Sequence, residues 1–559
     1  MKSKCKLSVM LSMVLMGALI SACGSASENG QNGGSKPAAT AGTQKEETNA
    51  GNDSGKTSGN NDKTLDISMA YFNIGKAFPN RENDEFLKKL EKDFNMKVDD
   101  KVISYSDYQE KLQLWSVSGE LPDVFSHDFI NKETYYTWIE QGVIRPLPDD
   151  LSAYPNVEKV LSLPDTQNLK VDGKFYMIPR LTYRDNDSWA LDKALVVRKD
   201  WMDKLGLQEP VTYEDYAAML TAFAKKDPDG NGKDDTIGLT FRSSSMLTSI
   251  AMGTLPNVAN GSWVKEDGQY IPYYAAESMT NVAVQMRELF ASGAIDPDFA
   301  IMKTNDGIDK FGQGKVGALA GQATPNALKQ YKTAWEKYNP DVKFEDAVAV
   351  IPVSWANEDG KRYRFTNVAF WSESYFSSAV DDEKMDRILQ LYDYLLSDEF
   401  LTVKAYGFEG VDYKKEGDKF VITRDKNEDG TYVGFSEQYP SLHYLFGPLA
   451  AWNQQMEYED SEINTINYGE DIIAMSHGAL KHHLDNFDPI PTNYAIQFMY
   501  TPAKTKLGAI NPSEDITKLM LGKGDPAAEW EKIVAGYDDK GLQEAIAEVN
   551  EKAKAEGIQ

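Results

Sequence analysis

One loop of the chain carries side chains of the types and spacing that bind a hard cation. In KKDPDGNGKDDTIGLT, residues 225–240, acidic and amide side chains alternate around two glycines. Calcium loops take oxygen ligands from alternate positions and from one backbone carbonyl, with a glycine at the sharp turn. We therefore predict a calcium loop at 227–236. Its predicted ligands are Asp227, Asp229, Asn231, the carbonyl of Lys233, Asp235 and the hydroxyl of Thr236.

The loop departs from the complete EF-hand pattern at its last position. The twelfth place, which usually holds a bidentate glutamate, is Gly238. A metal-free turn rich in Asp, Asn and Gly is the alternative interpretation. A catalytic metal needs an open coordination position beside a substrate pocket. Because this loop joins a predicted helix to a predicted strand, we expect a structural calcium ion that fastens one part of the fold.

Recognisable catalytic motifs are absent from the sequence. It contains no G-x-S-x-G, P-loop, H-E-x-x-H or paired C-x-x-C motif. We therefore predict that the protein is not an enzyme. A glycoside hydrolase needs only two suitably placed carboxylates, however, and the chain has 86 Asp and Glu residues. A surface-anchored glycoside hydrolase stays open as an alternative.

Strand and helix patterns alternate along the chain from residue 64 onward. LDISMAYF, KVDDKVIS and LPDVFS are short apolar-rich runs typical of strands, and helical patterns separate them. This alternation predicts an α/β fold in which helices cover both faces of parallel sheets. Ligands of such sheets bind beyond the carboxyl ends of the strands.

The first 63 residues are predicted to lie outside this fold. A basic start, a short apolar run and the sequence Ile20-Ser21-Ala22-Cys23 predict a signal peptide over residues 1–22. The motif resembles a bacterial lipobox, which implies cleavage before Cys23 and a lipid on its sulfur, with palmitate as an expected acyl chain. Residues 23–63 then form a lipidated, disordered polar tether. The alternative is a soluble secreted protein.

Composition excludes some classes of partner. The chain has 559 residues, which suggests two or more domains, and a formal charge of −27. Phosphates need Lys and Arg to neutralise them, so this charge argues against nucleic acid and anionic lipid as main partners. The only cysteines are Cys5 and Cys23, so the mature body has no disulfide available.

The body resembles an extracellular solute-binding protein of family 1, the lipoprotein receptor of an ABC importer of Gram-positive type. Motifs spread from about residue 64 to the end carry the resemblance. They include GELPDVF, VVRKDWMDKLGL, DPDGNGKDDTIGL, YGFEGVDYKKEGDKF and ITKLMLGKGDPAAEWEKIVAGY. The resemblance implies a two-lobed, type II periplasmic-binding-protein-like fold with hinge crossovers. The implied lobes are 64–185 with 362–400, and 190–355 with 405–559.

The resemblance also implies a function and a location. A carbohydrate, specifically an oligosaccharide, would be captured in the cleft between the lobes and delivered to the ABC transporter permease. The protein would be a monomer on the outer face of the cell membrane of a Gram-positive bacterium. Alginate-binding receptors of this family carry a similar calcium-holding loop, which supports the metal prediction. A receptor for peptides or other solutes is a further alternative.

Aromatic and polar residues beside predicted strand ends are the candidate ligand contacts. Sugars present C–H faces to aromatic rings and hydroxyls to polar side chains. The candidates are Tyr71, His127, Asp128, Trp189, Gln322, Trp371, His443 and Trp452. For each of them, packing in the core is the alternative. Arg180 and Arg184 would suit an acidic sugar, but pairing with Asp185 or Asp187 is the preferred interpretation.

Overall fold

The structure is a computed structural model that describes residues 63–558, except positions 105–106, 131, 244–245, 304, 418, 429–431, 453–456 and 459. The described residues belong to one compact unit, 59–559. The predicted signal peptide, Cys23 and nearly all of the tether lie outside them. Within the described part of the chain, no helix is long and apolar enough to cross a membrane.

The described strands are short and fall into two main sheets and three two-stranded pairs. In chain order they are β1 (Leu65–Ala70), β2 (Met96–Asp100), β3 (Val124–His127), β4 (Met177–Leu181), β5 (Ala194–Arg198), β6 (Ile237–Phe241), β7 (Trp263–Glu266), β8 (Gln269–Pro272), β9 (Val316–Gly321), β10 (Val348–Ile351), β11 (Tyr363–Arg364), β12 (Phe370–Phe376), β13 (Tyr413–Glu416), β14 (Lys419–Ile422) and β15 (Asp488–Pro489).

The first main sheet has the order β2–β1–β3–β12–β4. β1 pairs in parallel with β2 and β3, as the sequence predicts, whereas β12 runs antiparallel to β3 and β4. The prediction of a parallel sheet is therefore correct for the first three strands and wrong for β12. The reason is that β12 enters this sheet from the second one, at the edge where β1, β3 and β4 end, and so runs in the opposite direction.

The second main sheet has the order β10–β5–β9–β6 and is also mixed. β6 and β9 are parallel, and β5 is antiparallel to both β9 and β10. β9 is the predicted strand GKVGALAG, and all of its residues are buried.

Helices cover the sheets. The longer ones are Glu85–Asp93, Tyr108–Ser118, Glu133–Glu140, Tyr213–Lys225, Glu277–Ala291, Pro325–Tyr338, Asp382–Leu395, Asp398–Tyr406, Glu470–Asn486, Pro512–Leu521, Pro526–Gly536 and Leu542–Ala555. The shorter ones are Ile74–Ala77, Pro155–Leu161, Pro164–Gln167, Lys199–Leu205, Asp306–Gly312, Phe344–Ala347, Phe435–Gln438, Gly447–Ala450, Glu462–Tyr468, Tyr494–Phe498 and Pro502–Lys506.

The helix Tyr213–Lys225, which leads into the predicted calcium loop, begins at a capping box. The side chain of Thr212 accepts a hydrogen bond from the amide of Asp215, whose carboxylate accepts one from the amide of Thr212 in return. This arrangement satisfies two backbone donors that a helix start leaves unpaired. The sequence predicts this cap.

Each main sheet has its own apolar core. Ile67, Phe86 and Leu389 belong to the core of the first sheet, and Val197 and Phe223 belong to that of the second. Residues Tyr439 to Ala450 also pack into the first core. The sequence-based prediction assigns all of 405–559 to the second lobe, whereas the structure packs 439–450 against the first sheet. Only the tertiary structure brings this segment back to the first sheet.

Candidate functional site

Connections between the two sheets meet at one edge of each. β4 leads into β5 through residues 182–193, and β10 leads into β12 through residues 352–369. The strand directions place the carboxyl ends of β1, β3 and β4 at the edge of the first sheet where β12 begins. In the second sheet, β6, β9 and β10 end where β5 begins. The edges predicted to bind ligand are therefore the two that the crossovers join.

Arg180, on β4, organises the edge of the first sheet. Its side chain is fully buried, and its guanidinium donates hydrogen bonds to the carbonyl of Pro448 at 2.7 and 3.0 Å. It also donates to the hydroxyls of Tyr71 and Ser372, each at 2.8 Å. The expected pairing of this arginine with Asp185 or Asp187 is therefore wrong for Arg180: the strand turns it inward, and Asp187 pairs with Arg364 instead.

Three aromatic rings surround this guanidinium, and we call them the aromatic platform. They are those of Phe72 and Trp452, which lie over the guanidinium, and that of Trp371, which lies next to Trp452. The guanidinium lies 3.9 Å from the ring centre of Trp452, a cation–π contact. The ring of Trp452 lies 5.1 Å from that of Trp371 and 6.1 Å from that of Phe72. The indole N–H of Trp452 donates to the carbonyl of Trp371 at 3.0 Å. Trp371 is 51% exposed, so the platform presents an aromatic surface to solvent.

A backbone irregularity turns Trp371 outward. The pairing of β12 with β4 shifts register between Phe370 and Glu373, and Ser372 has a φ of +62°. This left-handed conformation is costly for a residue with a side chain. The hydrogen bond that the Ser372 hydroxyl accepts from Arg180 helps to hold it. Strain stored beside an exposed aromatic side chain is typical of a binding site.

The end of β3 places His127 and Asp128 beside a buried carboxyl. The ring of His127 stacks on Phe129 at 4.0 Å, and desolvation together with Lys132 lowers the pKa of this histidine. Asp128 is half-exposed and forms an ion pair with Lys132 at 3.3 Å. Glu373 is buried, and burial and the nearby Asp128 raise its pKa to about 8. Its carboxyl oxygen Oε2 accepts hydrogen bonds from the Tyr375 hydroxyl and the Phe129 amide, so the carboxyl group is held inside the sheet.

The edge of the second sheet carries a polar network. Asp192 is buried, and it accepts hydrogen bonds from the Tyr183 hydroxyl at 2.6 Å and from the Gln322 amide at 3.0 Å. Gln322 in turn accepts a hydrogen bond from Arg242. Burial raises the pKa of Asp192 and lowers that of Lys193 beside it. Tyr183 lies in the crossover 182–193, three residues after Arg180, so this network adjoins the aromatic platform along the chain.

The structure brings some of the predicted ligand contacts together and separates others. Trp371 and Trp452 touch, and Tyr71 supports Arg180 beneath them but is fully buried. Trp189 is buried between Tyr183 and Phe365 in the crossover. His443 is exposed and contacts Tyr444 on a helical turn that packs on the first core. The ligand roles of all these residues stay predictions.

The sequence reasoning missed Phe72 and Lys404. Phe72 directly follows the candidate Tyr71, so the strand-end rule contained the signal for it. Lys404 lies in a helix about 50 residues before Trp452, and its ammonium donates to the carbonyls of Ala451 and Trp452 at 2.7 and 3.1 Å. No local pattern in the sequence predicts that contact.

In the predicted calcium loop, hydrogen bonds gather three carboxylates around Asn231. Its side-chain amide donates to Asp229 at 2.6 Å and to Asp235 at 3.0 Å, and its backbone amide donates to Asp227 at 3.0 Å. The Thr236 hydroxyl is buried and donates to the Phe223 carbonyl at 2.8 Å, so it fastens the end of the preceding helix. No group of three or more Asp, Glu, His or Cys residues among the described ones is arranged to hold a metal ion.

Packing explains why the twelfth place of this loop is a glycine. A Cβ atom on Gly238 would lie 2.2 Å from the carbonyl oxygen of Leu220 and 2.6 Å from that of Ala294. β6 therefore approaches two backbone segments too closely for any side chain at this position. A bidentate glutamate is excluded here, so a cation in this loop would depend on the ligands before position 238 and on water.

The chain is similar in sequence to bacterial solute-binding proteins. Residues 85–408 match the family model for bacterial extracellular solute-binding proteins. The polygalacturonan/rhamnogalacturonan-binding protein YtcQ of Bacillus subtilis is 25% identical over 348 residues, which cover 62% of this chain and 66% of YtcQ. Lipoprotein LipO of the same species is 26% identical over 404 residues, covering 69% of this chain and 74% of LipO. The match thus spans just under two thirds of YtcQ.

Solved structures share the fold. The substrate-binding protein FusA of Streptococcus pneumoniae, in complex with kestose, matches with a TM-score of 0.62 at 20% identity, over 89% of this chain and 99% of FusA. A second FusA structure is described as an EF-hand mutant in complex with fructo-nystose, with a TM-score of 0.61 at 20% identity, over the same shares of the two chains. This likeness confirms the predicted two-lobed α/β fold.

Proposed function

Because the chain belongs to the family of bacterial extracellular solute-binding proteins, we propose that it is a receptor that captures an oligosaccharide between its two lobes and delivers it to an ABC transporter permease. Proteins of this family bind solutes, and the relatives YtcQ and FusA are named for carbohydrates. The aromatic platform, with Trp371 half-exposed at the joined sheet edges, is the observation that carries the proposal. Aromatic faces of this kind suit the C–H faces of sugar rings.

The lobes of this receptor are proposed to follow the two sheets. The first lobe contains 64–185, 362–400 and the segment around 439–450, and the second contains 190–355 and most of the chain after 457. The crossovers at 182–193 and 352–369 would act as the hinge on which the lobes close over ligand. We expect a monomer.

A thermal-unfolding screen tests the receptor function. Plant and bacterial oligosaccharides, short peptides and free amino acids are added separately to the full-length protein in detergent. A ligand that binds the native state raises the midpoint of unfolding by mass action. A rise with one oligosaccharide class, without hydrolysis of that sugar, supports the receptor. A rise with peptides alone contradicts the carbohydrate proposal, and released sugar fragments would favour a glycoside hydrolase instead.

The geometry gives little support to the hydrolase alternative at the first edge. Glu373 is buried and bound by Tyr375 and Phe129, so its carboxyl does not reach a sugar on the platform. Its neighbour Asp128 forms an ion pair with Lys132. A glycosidase needs both carboxyls beside the scissile bond.

A structural calcium ion in the loop 227–236 is the second part of the proposal. The support is the convergence of three carboxylates on Asn231 and the description of a structural neighbour as carrying an EF-hand. A bound ion would replace the amide of Asn231 as the group that these carboxylates surround. The positive charge of the ion would offset the negative charges of these carboxylates. The ion would also stabilise the connection between the helix Tyr213–Lys225 and β6.

Calcium binding is measured by titration with terbium luminescence and by melting with and without EDTA. We expect Asp229→Asn to weaken binding and to abolish the effect of EDTA on the melting midpoint. Asp234→Asn is the matched control, because Asp234 lies in the same loop outside the predicted ligand set. Equal behaviour of the two variants would contradict the assignment.

Anchoring through a lipid on Cys23 completes the proposal, and it places the receptor on the outer face of the cell membrane. The support is the lipobox-like sequence and the similarity to a lipoprotein of Bacillus subtilis. Metabolic labelling with a palmitate analogue tests it: wild type should be labelled, and Cys23→Ala should not.

A further inference from the structure

Arg180 is a buried positive charge whose hydrogen-bond partners are all neutral. Its guanidinium bonds the carbonyl of Pro448 and the hydroxyls of Tyr71, Ser372 and, at 3.4 Å, Ser126. Among titratable groups, Tyr71, Tyr392 and Tyr108 have the largest influence on its pKa, and no carboxylate of the described residues forms an ion pair with it. A buried charge without a counter-charge is costly.

A second cation lies beside it. The ammonium of Lys404 donates to the carbonyls of Ala451 and Trp452, the second of which belongs to the aromatic platform. Burial and the neighbouring Arg180 lower the pKa of Lys404 to about 7. The carbonyl oxygens carry only partial charges, so they offset the two cations in part.

The other buried arginines in the described residues form an ion pair with a carboxylate or have carboxylates close by. Arg198 forms an ion pair with Asp200 at 2.6 Å, and Arg287 forms one with Glu529 at 2.8 Å. Arg387 bonds carbonyls but has Asp386 and Glu383 close by. Among the buried arginines of the described residues, Arg180 is therefore the one with neither an ion pair nor a carboxylate among the groups that influence its pKa most.

We propose that the captured oligosaccharide is acidic, and that a carboxylate of a uronate residue lying on the aromatic platform supplies the negative charge that Arg180 and Lys404 lack. This inference rests on the proposed receptor function. Opposite charges attract strongly where water is excluded, so closure of the lobes over the ligand would strengthen the interaction. The hydrogen-bonding capacity of Arg180 is already used, so it acts through its charge rather than by a direct fork to the carboxylate.

Matched ligands separate charge from shape. Oligogalacturonates, oligomannuronates, oligoguluronates and glucuronate-containing oligosaccharides are each compared with their methyl esters, together with neutral gluco-, fructo- and galacto-oligosaccharides. Binding to the full-length protein in detergent is measured by calorimetry. We expect at least one acidic class to bind about tenfold or more tightly than its ester, because the ester keeps the backbone and removes the charge. Equal affinity of acid and ester, or binding of neutral oligosaccharides alone, would overturn the inference while leaving the receptor function intact. Binding of no oligosaccharide would overturn both.

Two lysine variants test whether the positive charge of Lys404 contributes to the preference for acid over ester. Lys404→Met should reduce the preference for acid over ester several-fold. Lys504→Met is the matched control, because Lys504 is also a mostly buried lysine that donates to backbone carbonyls, those of Ile496, Gln497 and Met499. Melting curves confirm that both variants are folded. If Lys404→Met keeps the full preference, or if Lys504→Met loses it equally, the assignment to the platform is refuted.

Discussion

Truncation of Trp371 tests the aromatic platform most directly. This side chain is 51% exposed, and its ring lies 5.1 Å from that of Trp452. A tryptophan side chain offers about 240 Å² of surface, so roughly 120 Å² is open to a ligand in the free protein. A sugar ring that covers about 80 Å² of it gains about 2 kcal/mol at 25 cal/mol per Å². Trp371→Ala should therefore weaken binding of a cognate oligosaccharide roughly 30-fold.

Calorimetry of the oligosaccharide identified in the unfolding screen measures this loss. Tyr338→Ala is the matched control, because Tyr338 is 44% exposed at the end of a helix that covers the second sheet. Trp371→Phe should recover part of the affinity, since a smaller ring keeps a stacking face. Trp371 also buries part of its surface against the protein, so the melting midpoint of Trp371→Ala is checked first. A folded Trp371→Ala protein with wild-type affinity would refute the platform as the ligand site.

Three further predictions concern the residues around the platform and the loop. Glu373 keeps its proton up to about pH 8 in the folded protein, whereas the unfolded chain releases it near its ordinary pKa of 4.5. Its contribution to the free energy of unfolding is therefore present below about pH 4.5 and is lost as pH rises to 8. Glu373→Gln should remove this pH dependence of the free energy of unfolding, which is on the order of a few kcal/mol in denaturant titrations from pH 4.5 to 8. If the free energy of unfolding of the variant changes with pH as steeply as that of the wild type, the burial argument is contradicted. Ser372→Ala should lower the free energy of unfolding by about 1–3 kcal/mol, because it leaves an Arg180 N–H unpaired. Ser372→Gly should lower it by about 1 kcal/mol less, because glycine tolerates the positive φ. If Ser372→Gly proves less stable than Ser372→Ala in melting experiments, strain at this bulge is excluded. Gly238→Ala should lower the free energy of unfolding by about 3 kcal/mol, because the added Cβ clashes with the Leu220 carbonyl. An unchanged free energy of unfolding would show that β6 can move.

Chain-local features were predictable because their causes lie within a few residues. The strand at Leu65–Ala70, the capping box at Thr212 and the alternating oxygens of 227–235 each depend on neighbours in sequence. The choice of aromatic side chains in loop-like stretches near predicted strand ends also selected Trp371 and Trp452, which the structure places in contact. Periodicity and turn chemistry act over such short ranges.

The sequence by itself determined the alternation of strands and helices, the solute-binding family and the composition of the candidate loop. Only the tertiary structure decided that β12 enters the first sheet antiparallel, that Tyr439 to Ala450 rejoin the first core, and that Arg180 faces Pro448 instead of an aspartate. The partners of Arg180 lie up to 268 residues away along the chain. Whether an arginine is paired, buried or exposed depends on which distant segments pack against it, and no local pattern encodes that choice.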